Sequence, residues 1–310
     1  MREVPVNILR GFLMGAADVV PGVSGGTVAL VLAIYHRLIE AIRTGSRALG
    51  HFARLDVQHG LGHLRRVEWL FLVPLLGGIG LAVLSLSHLI ETLLEDHPVP
   101  LAGLFLGLVA GSTGIAWQLL IRRDATRLTA LVLAAIATWI LLGLREATTD
   151  DGGAGGIEDP ALWVFFGSGA VAICAMILPG VSGSFLLVML GMYGAVLGAV
   201  NDRDALAIGV FLVGCIVGLA LFSQLLHWAL NTHYDTVMAI LIGLMAGSLR
   251  VLWPWPRGVD STAIDAPGGS VPATLALMVV GLLVVLAAHE AAKRFEHRGR
   301  IEEARELQVT

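Results

Sequence analysis

Long apolar runs alternate with short charged connections along this chain, and in two places an apolar run is cut by nearly the same string. Apolar residues 6–20 end at Pro21-Gly22-Val23-Ser24-Gly25-Gly26-Thr27, and apolar residues 162–178 end at Pro179-Gly180-Val181-Ser182-Gly183-Ser184-Phe185. Pieces this short fall below the roughly 20 residues that a helix needs to cross hydrocarbon. Proline removes a backbone donor and glycine weakens a helix, so each string predicts a helix break. Such a break is tolerated inside a membrane only where protein or a water-filled cavity satisfies the freed amides and carbonyls. A second short apolar piece follows each break. The pattern therefore predicts two re-entrant hairpins, over 6–42 and 162–200. Three longer apolar runs follow each hairpin. They predict spans near 68–90, 99–121 and 128–144, then near 206–230, 236–253 and 272–292.

The halves also match in detail, which points to duplication. The segment from Pro21 to Tyr35 agrees with that from Pro179 to Tyr193 at seven of fifteen positions. Further on, Gly107-Leu108-Val109-Ala110-Gly111-Ser112 resembles Gly243-Leu244-Met245-Ala246-Gly247-Ser248, with Trp117 and Trp253 at the same distance beyond. Gly103, Gly107 and Gly111 form a small-residue stripe suited to helix packing.

Charge sets the expected orientation. Arg2 and Arg10 lie at the start of the first hairpin, and Arg37, Arg43 and Arg47 at its end, so it enters and leaves on the cytoplasmic side. The 43–67 linker, rich in Arg and His, is expected there too, in part as an interfacial helix, with Arg122, Arg123 and Arg127. The C-terminal tail carries Lys293, Arg294, Arg298, Arg300 and Arg305 and is also placed inside, which leaves the acidic connection 145–161 outside. Three spans per half make the second hairpin enter from the opposite face. The expected fold class is thus an all-α integral membrane protein with an inverted-topology repeat. Its halves are residues 1–150 and 151–310, each a broken-helix hairpin plus three transmembrane helices.

Composition agrees with a membrane protein: 56% of the 310 residues are hydrophobic and 14% charged, against about 25% charged in soluble domains. No basic domain points to nucleic acid. Residues 1–20 show no cleavage site and run into the first break, so the first apolar segment is expected in the mature fold. Cys174 and Cys215 read as small packing residues. His59 and His63 are four residues apart with no third ligand in sight, so no metal or cofactor is expected.

Candidate chemistry gathers at the breaks. Gly22, Ser24, Gly25, Gly26 and Thr27, with Gly180, Ser182, Gly183 and Ser184, offer hydroxyls and amides at two helix starts, an arrangement suited to an anion. Arg37 is a bidentate phosphate ligand or an interfacial, snorkelling arginine. Asp18 lies inside an apolar element, where a charge faces a cavity or a partner. Pairing with Arg37, holding a coupling cation and carrying a proton are all open to it. No nucleophile–base set suggests an enzyme.

The string Gly15-Ala16-Ala17-Asp18-Val19-Val20-Pro21-Gly22-Val23-Ser24-Gly25-Gly26-Thr27, followed by Ile34-Tyr35-His36-Arg37-Leu38-Ile39, resembles the polyprenyl-phosphate transporter family, and the likeness runs over almost the whole chain. His36 stands where the family usually has Glu. The resemblance implies a flippase that recycles undecaprenyl phosphate from the outer to the inner leaflet of a prokaryotic cytoplasmic membrane. It leaves open a coupling proton or sodium ion and a homo-oligomer. The alternative is another secondary transporter, or an ion channel, on the same inverted fold.

Overall fold

In the computed structural model, residues 3–20, 23–149, 160–255 and 264–309 are described. Pro21, Gly22 and residues 150–159 of the expected external connection lie outside them. The first half holds α1 (Glu3–Asp18), α2 (Gly25–Val31), α3 (Tyr35–Ala53), α4 (Val57–Arg66), α5 (Trp69–Asp96), α6 (Pro98–Gln118) and α7 (Ala125–Thr149). The second holds α8 (Leu162–Ile177), α9 (Gly183–Met189), α10 (Tyr193–Asn201), α11 (Ala205–Thr232), α12 (Tyr234–Ser248), a 3-10 turn (Leu249–Leu252) and α13 (Val271–Val309). Among the described residues there is no strand. Among the described residues, six helices are long and apolar enough to cross a membrane: α5, α6, α7, α11, α12 with its 3-10 turn, and the first part of α13.

Packing crosses between the halves. α1 lies along α5 and α8 along α11, but α6 packs on α13 and α12 on α7. Glycines allow this. A Cβ on Gly103 would stand 2.6 Å from the Thr274 carbonyl oxygen, and one on Gly247 2.6 Å from that of Ala135. Lipid tails give no hydrophobic drive between helices, so close backbone approach holds them together by dispersion.

Several contacts fix the helix directions. Arg37, at the start of α3, bonds to Glu68, just before α5, and to Glu3, at the start of α1. The neighbouring His36 ring lies 3.4 Å from Asn231, near the end of α11. So α5 begins where α11 ends. Likewise Asp235, in the first turn of α12, accepts hydrogen bonds from the amides of Ile121 and Arg122, just beyond α6. At the other end of that pair, Leu252 and Leu101 share one apolar cluster.

Each expected second hairpin arm is divided in two. After α2, Ala33 adopts φ +56°, and the Ile34 amide bonds back to the Ala29 carbonyl. After α9, Gly191 adopts φ +67°, with Met192 bonding back to Leu187. A left-handed residue closing a helix in this way is a common C-terminal stop. Glycine does it without strain, but an L-residue pays about 1–2 kcal/mol. The 43–67 linker is helical as well. α3 runs on to Ala53 and turns into α4, where the Asp56 side chain caps the helix. Hydrogen bonds from the His59 ring and amide, and then from His51, hold the Asp56 carboxyl below the usual carboxylate range.

Ala33 is exposed, so Ala33→Gly removes strain without losing packing. Thermal unfolding in detergent should show the variant more stable by up to about 1 kcal/mol. A less stable variant would mean that the left-handed turn is unstrained.

Candidate functional site

The two broken segments touch, and side chains of the first satisfy backbone of the second. Ser24 caps α2, its Oγ accepting from the Gly26 amide at 3.2 Å, and lies 3.4 Å from the Met176 carbonyl oxygen as its donor. The Tyr35 hydroxyl donates to the Ile177 carbonyl at 3.2 Å. Thr27 Oγ1 accepts from the Gly180 amide, also at 3.2 Å. Ser24, Thr27 and Tyr35 are all buried. Gly180 is required twice over: its φ is +81°, and a Cβ there would stand 2.8 Å from Met245 Cα.

Asp18 turns back and accepts from the Gly25 amide at 2.6 Å. The amides of Gly25 and Gly26, expected to face an anion, are therefore taken by Asp18 and Ser24. Nor does Asp18 pair with Arg37. Arg37 stands at the far end of the hairpin, 2.6 Å from Glu68 and 3.4 Å from Glu3, with its guanidinium 4.4 Å from the centre of the Phe71 ring. Two carboxylates and an aromatic face satisfy it there, so it clasps the starts of α1, α3 and α5.

Beyond this contact lies a cavity of about 340 Å³. Asp18, Val19 and Val20 line one side, and Gly180, Ser182, Ser184 and Tyr193 the other, with Thr138 of α7 and Ser248 of α12 completing the polar wall. Ser182 caps α9 without a side-chain bond; its Oγ lies 2.8 Å from Ser184 Oγ. Among the described residues, Asp18 is the one carboxylate lining the cavity, and no Lys, Arg or His lines it. Arg250 lies just behind the wall, over Trp139 and against Gly143 of α7.

A second cavity, of about 280 Å³, lies beside the first break and shares Val20. It is lined almost wholly by apolar side chains, with Thr27 and Ser112 as exceptions. Ser24, Gly25, Gly26 and Gly183 line neither cavity. Gly183 instead packs against α8, where a Cβ would stand 2.6 Å from Met176 Cγ. Gly22 is outside the described residues. Thr138, Ser248 and Tyr193 were not singled out as site residues. Tyr193 and Ser248 belong to the repeated strings, which was the available signal; Thr138 carries none beyond being a hydroxyl on an apolar span. Among the described residues, no group of three or more His, Cys, Asp or Glu side chains stands where a metal ion could be held.

Six apolar spans among the described residues, and a cavity that brings hydroxyls and one carboxylate together beside two broken helices, define a multi-pass membrane protein. The chain belongs to the family described as VCA0040-like, undecaprenyl phosphate translocase-like, which matches residues 14–269. It is 40% identical over 265 residues to a polyprenyl-phosphate transporter of Vibrio cholerae serotype O1 (strain ATCC 39315 / El Tor Inaba N16961), covering 85% of this chain and 82% of the relative. It is 34% identical over 263 residues to a polyprenyl-phosphate transporter of Staphylococcus aureus (strain NCTC 8325 / PS 47), covering 80% and 86%. No solved structure matches.

The seat of Asp18 is testable. A Cβ at Gly25 would stand 2.5 Å from Asp18 Oδ2, whereas one at Gly114 meets nothing within 4 Å. Gly25→Ala should impair the activity of the reconstituted protein well beyond Gly114→Ala. Equal activity would show that Asp18 need not sit on that amide.

Proposed function

We propose that this chain carries a polyprenyl phosphate from the outer to the inner leaflet of a prokaryotic cytoplasmic membrane, leaving the lipid chemically unchanged. The observation that carries this reading is the hydroxyl-lined cavity between the breaks. A phosphate monoester at neutral pH brings mainly acceptor oxygens, and Ser182, Ser184, Thr138 and Ser248 bring donors. The prenyl tail leaves past Val20 into the apolar cavity and the surrounding lipid, so it needs no enclosed tunnel.

The two halves are read as inverted repeats. The opposed directions of α5 and α11, and of α6 and α12, support this, as does the crossed packing of α6 with α13 and α12 with α7. On this reading α1–α2 and α8–α9 are re-entrant. The ends of α7 and α12 that line the cavity point outward, and the cavity receives the head group from the outer leaflet. Ser24 and Tyr35 hold the inward side shut on Met176 and Ile177. Their repeat counterparts, Ser182 and Tyr193, line the open cavity with Asp18 and Val19, the counterparts of Met176 and Ile177. Exchange of these contacts closes the outer side and opens the inner one, which is alternating access.

Asp18 makes the step charge-sensitive. A carboxylate beside a phosphate is repulsive, so a proton on Asp18, or a sodium ion beside it, enters with the substrate.

Vesicles carrying phosphate lipid in one leaflet test both points. A hydrogen bond to a charged group is worth about 1.5–3 kcal/mol. Ser182→Ala with Ser184→Ala should therefore slow transport at least about tenfold, while Ser85→Ala, on the exposed side of α5, leaves it unchanged. Transport in the wild type no faster than in protein-free vesicles would reject the translocase; released inorganic phosphate would point to an enzyme. Asp18→Asn should retain downhill transport but lose its response to proton and sodium gradients. A variant that still responds would remove Asp18 from the coupling.

A further inference from the structure

We infer that the α3–α4 hairpin is a docking surface for anionic phospholipid head groups on the cytoplasmic leaflet. The inner face of the hairpin is filled. Gly60 of α4 packs on the Phe52 ring, where a Cβ would stand 2.8 Å from Cε1. The His51 ring stacks on those of His63 and His59, with centres 5.2 and 5.7 Å apart. Asp56 lies between His51 and His59 and bonds to both.

Among the described residues, nothing covers the outer face. Val57 and Leu61, one turn apart on α4, are 61% and 43% exposed, and Leu55 at the elbow is 88% exposed. Side chains four apart share one helix face, so the two make a short apolar stripe. Arg54, before the elbow, and Arg65 and Arg66, in the last turn of α4, are exposed on either side of it, and Arg47 is exposed on α3. Between residues 43 and 67 the charged side chains are Arg43, Arg47, Arg54, Arg65 and Arg66 against Asp56 alone, and Asp56 is already engaged by histidines. An apolar stripe flanked by more arginines than acids, with Asp56 engaged by histidines and Glu68 by Arg37, matches the boundary between acyl chains and anionic head groups.

The hairpin also stands at the right level. Only Val67 and Glu68 separate α4 from the span α5, and the Trp69 indole donates to the Leu64 carbonyl at 2.9 Å. That bond ties the end of α4 to the membrane entry of α5, where Trp69 and Leu70 are exposed on the lipid side. The surface is thus continuous with the apolar face of the span. A helix so tethered lies along the interface, with Leu55, Val57 and Leu61 toward the acyl chains and the arginines at head-group depth.

The test uses the full chain with Cys174→Ala and Cys215→Ala, carrying a polarity-sensitive fluorophore on either Leu61→Cys or Gly62→Cys. Gly62 lies off the stripe, and a Cβ there meets nothing within 4 Å. In nanodiscs of phosphatidylcholine with phosphatidylglycerol, the label at 61 should emit further to the blue and be several-fold less quenched by iodide than the label at 62. Phosphatidylcholine alone, or replacement of Arg54, Arg65 and Arg66 by Gln, should remove most of the difference. Equal quenching at 61 and 62 with the anionic lipid would overturn the docking surface. Equal shielding with and without the anionic lipid would overturn its charge basis, and shielding that appears only with two chains per nanodisc would assign the face to a second copy. None of these readouts requires transport, so the inference stands or falls apart from the proposed function.

Discussion

Peptide groups freed by a broken helix cannot be left bare in hydrocarbon, and the rest of this structure depends on how that demand is met. The carbonyls of Met176 and Ile177 and the amide of Gly180 have no place in a continuing helix. Three buried side chains of the other half, Ser24, Tyr35 and Thr27, reach them. An unsatisfied group of this kind costs several kcal/mol in lipid. The bonds therefore do more than join two segments: they make the second break tolerable, and they fix the broken segments against each other. The crossed packing of α6 on α13 and α12 on α7 surrounds this contact with apolar helices.

Near-repeated strings are put to unequal use. Ser24 and Tyr35 lock onto backbone, while their counterparts Ser182 and Tyr193 line a cavity. Thr27, which holds the Gly180 amide, has Phe185 as its counterpart. Asp18, which occupies the Gly25 amide, has Met176. Ser112 faces the apolar cavity and its counterpart Ser248 the polar one. The first half thus supplies the side chains of the contact, and Ser182, Ser184 and Ser248 of the second, with Thr138 of the first, present hydroxyls to the space beyond it. The strings differ at these positions: Asp18 brings a charge to the cavity wall, and Phe185 brings no hydroxyl with which to repeat the bond made by Thr27.

The spans were legible because their apolar runs are long, and the breaks because Pro and Gly interrupt such runs wherever they fall. The stop at Ala33 was not legible, since nothing in an alanine announces a positive φ; only the glycine at the equivalent position hinted at it. The α3–α4 hairpin read as a linker because its arginines and histidines mask a period that the fold then uses. Of the cavity lining, the hydroxyls of Ser182 and Ser184 stand in the repeated string. The fates of Gly25 and Arg37 depended on distant partners: an aspartate that turns back on its own chain, and two carboxylates, Glu3 and Glu68, brought to one place by folding. Thr138 reached the cavity through the crossed packing of α7 on α12, which no local pattern records.

The central claim is that the contact made by Tyr35 on Ile177 alternates with an equivalent contact of Tyr193 on Val19. Joining Val19→Cys to Val188→Cys across the cavity by oxidation, in vesicles holding the otherwise cysteine-free chain, tests it most directly and leaves the Tyr193 hydroxyl in place. The account predicts that the disulfide forms during turnover, that lipid-phosphate transport stops when it does, and that reductant restores the rate. Full transport with the disulfide in place would contradict the account, because the cavity would then not need to open and close between those residues.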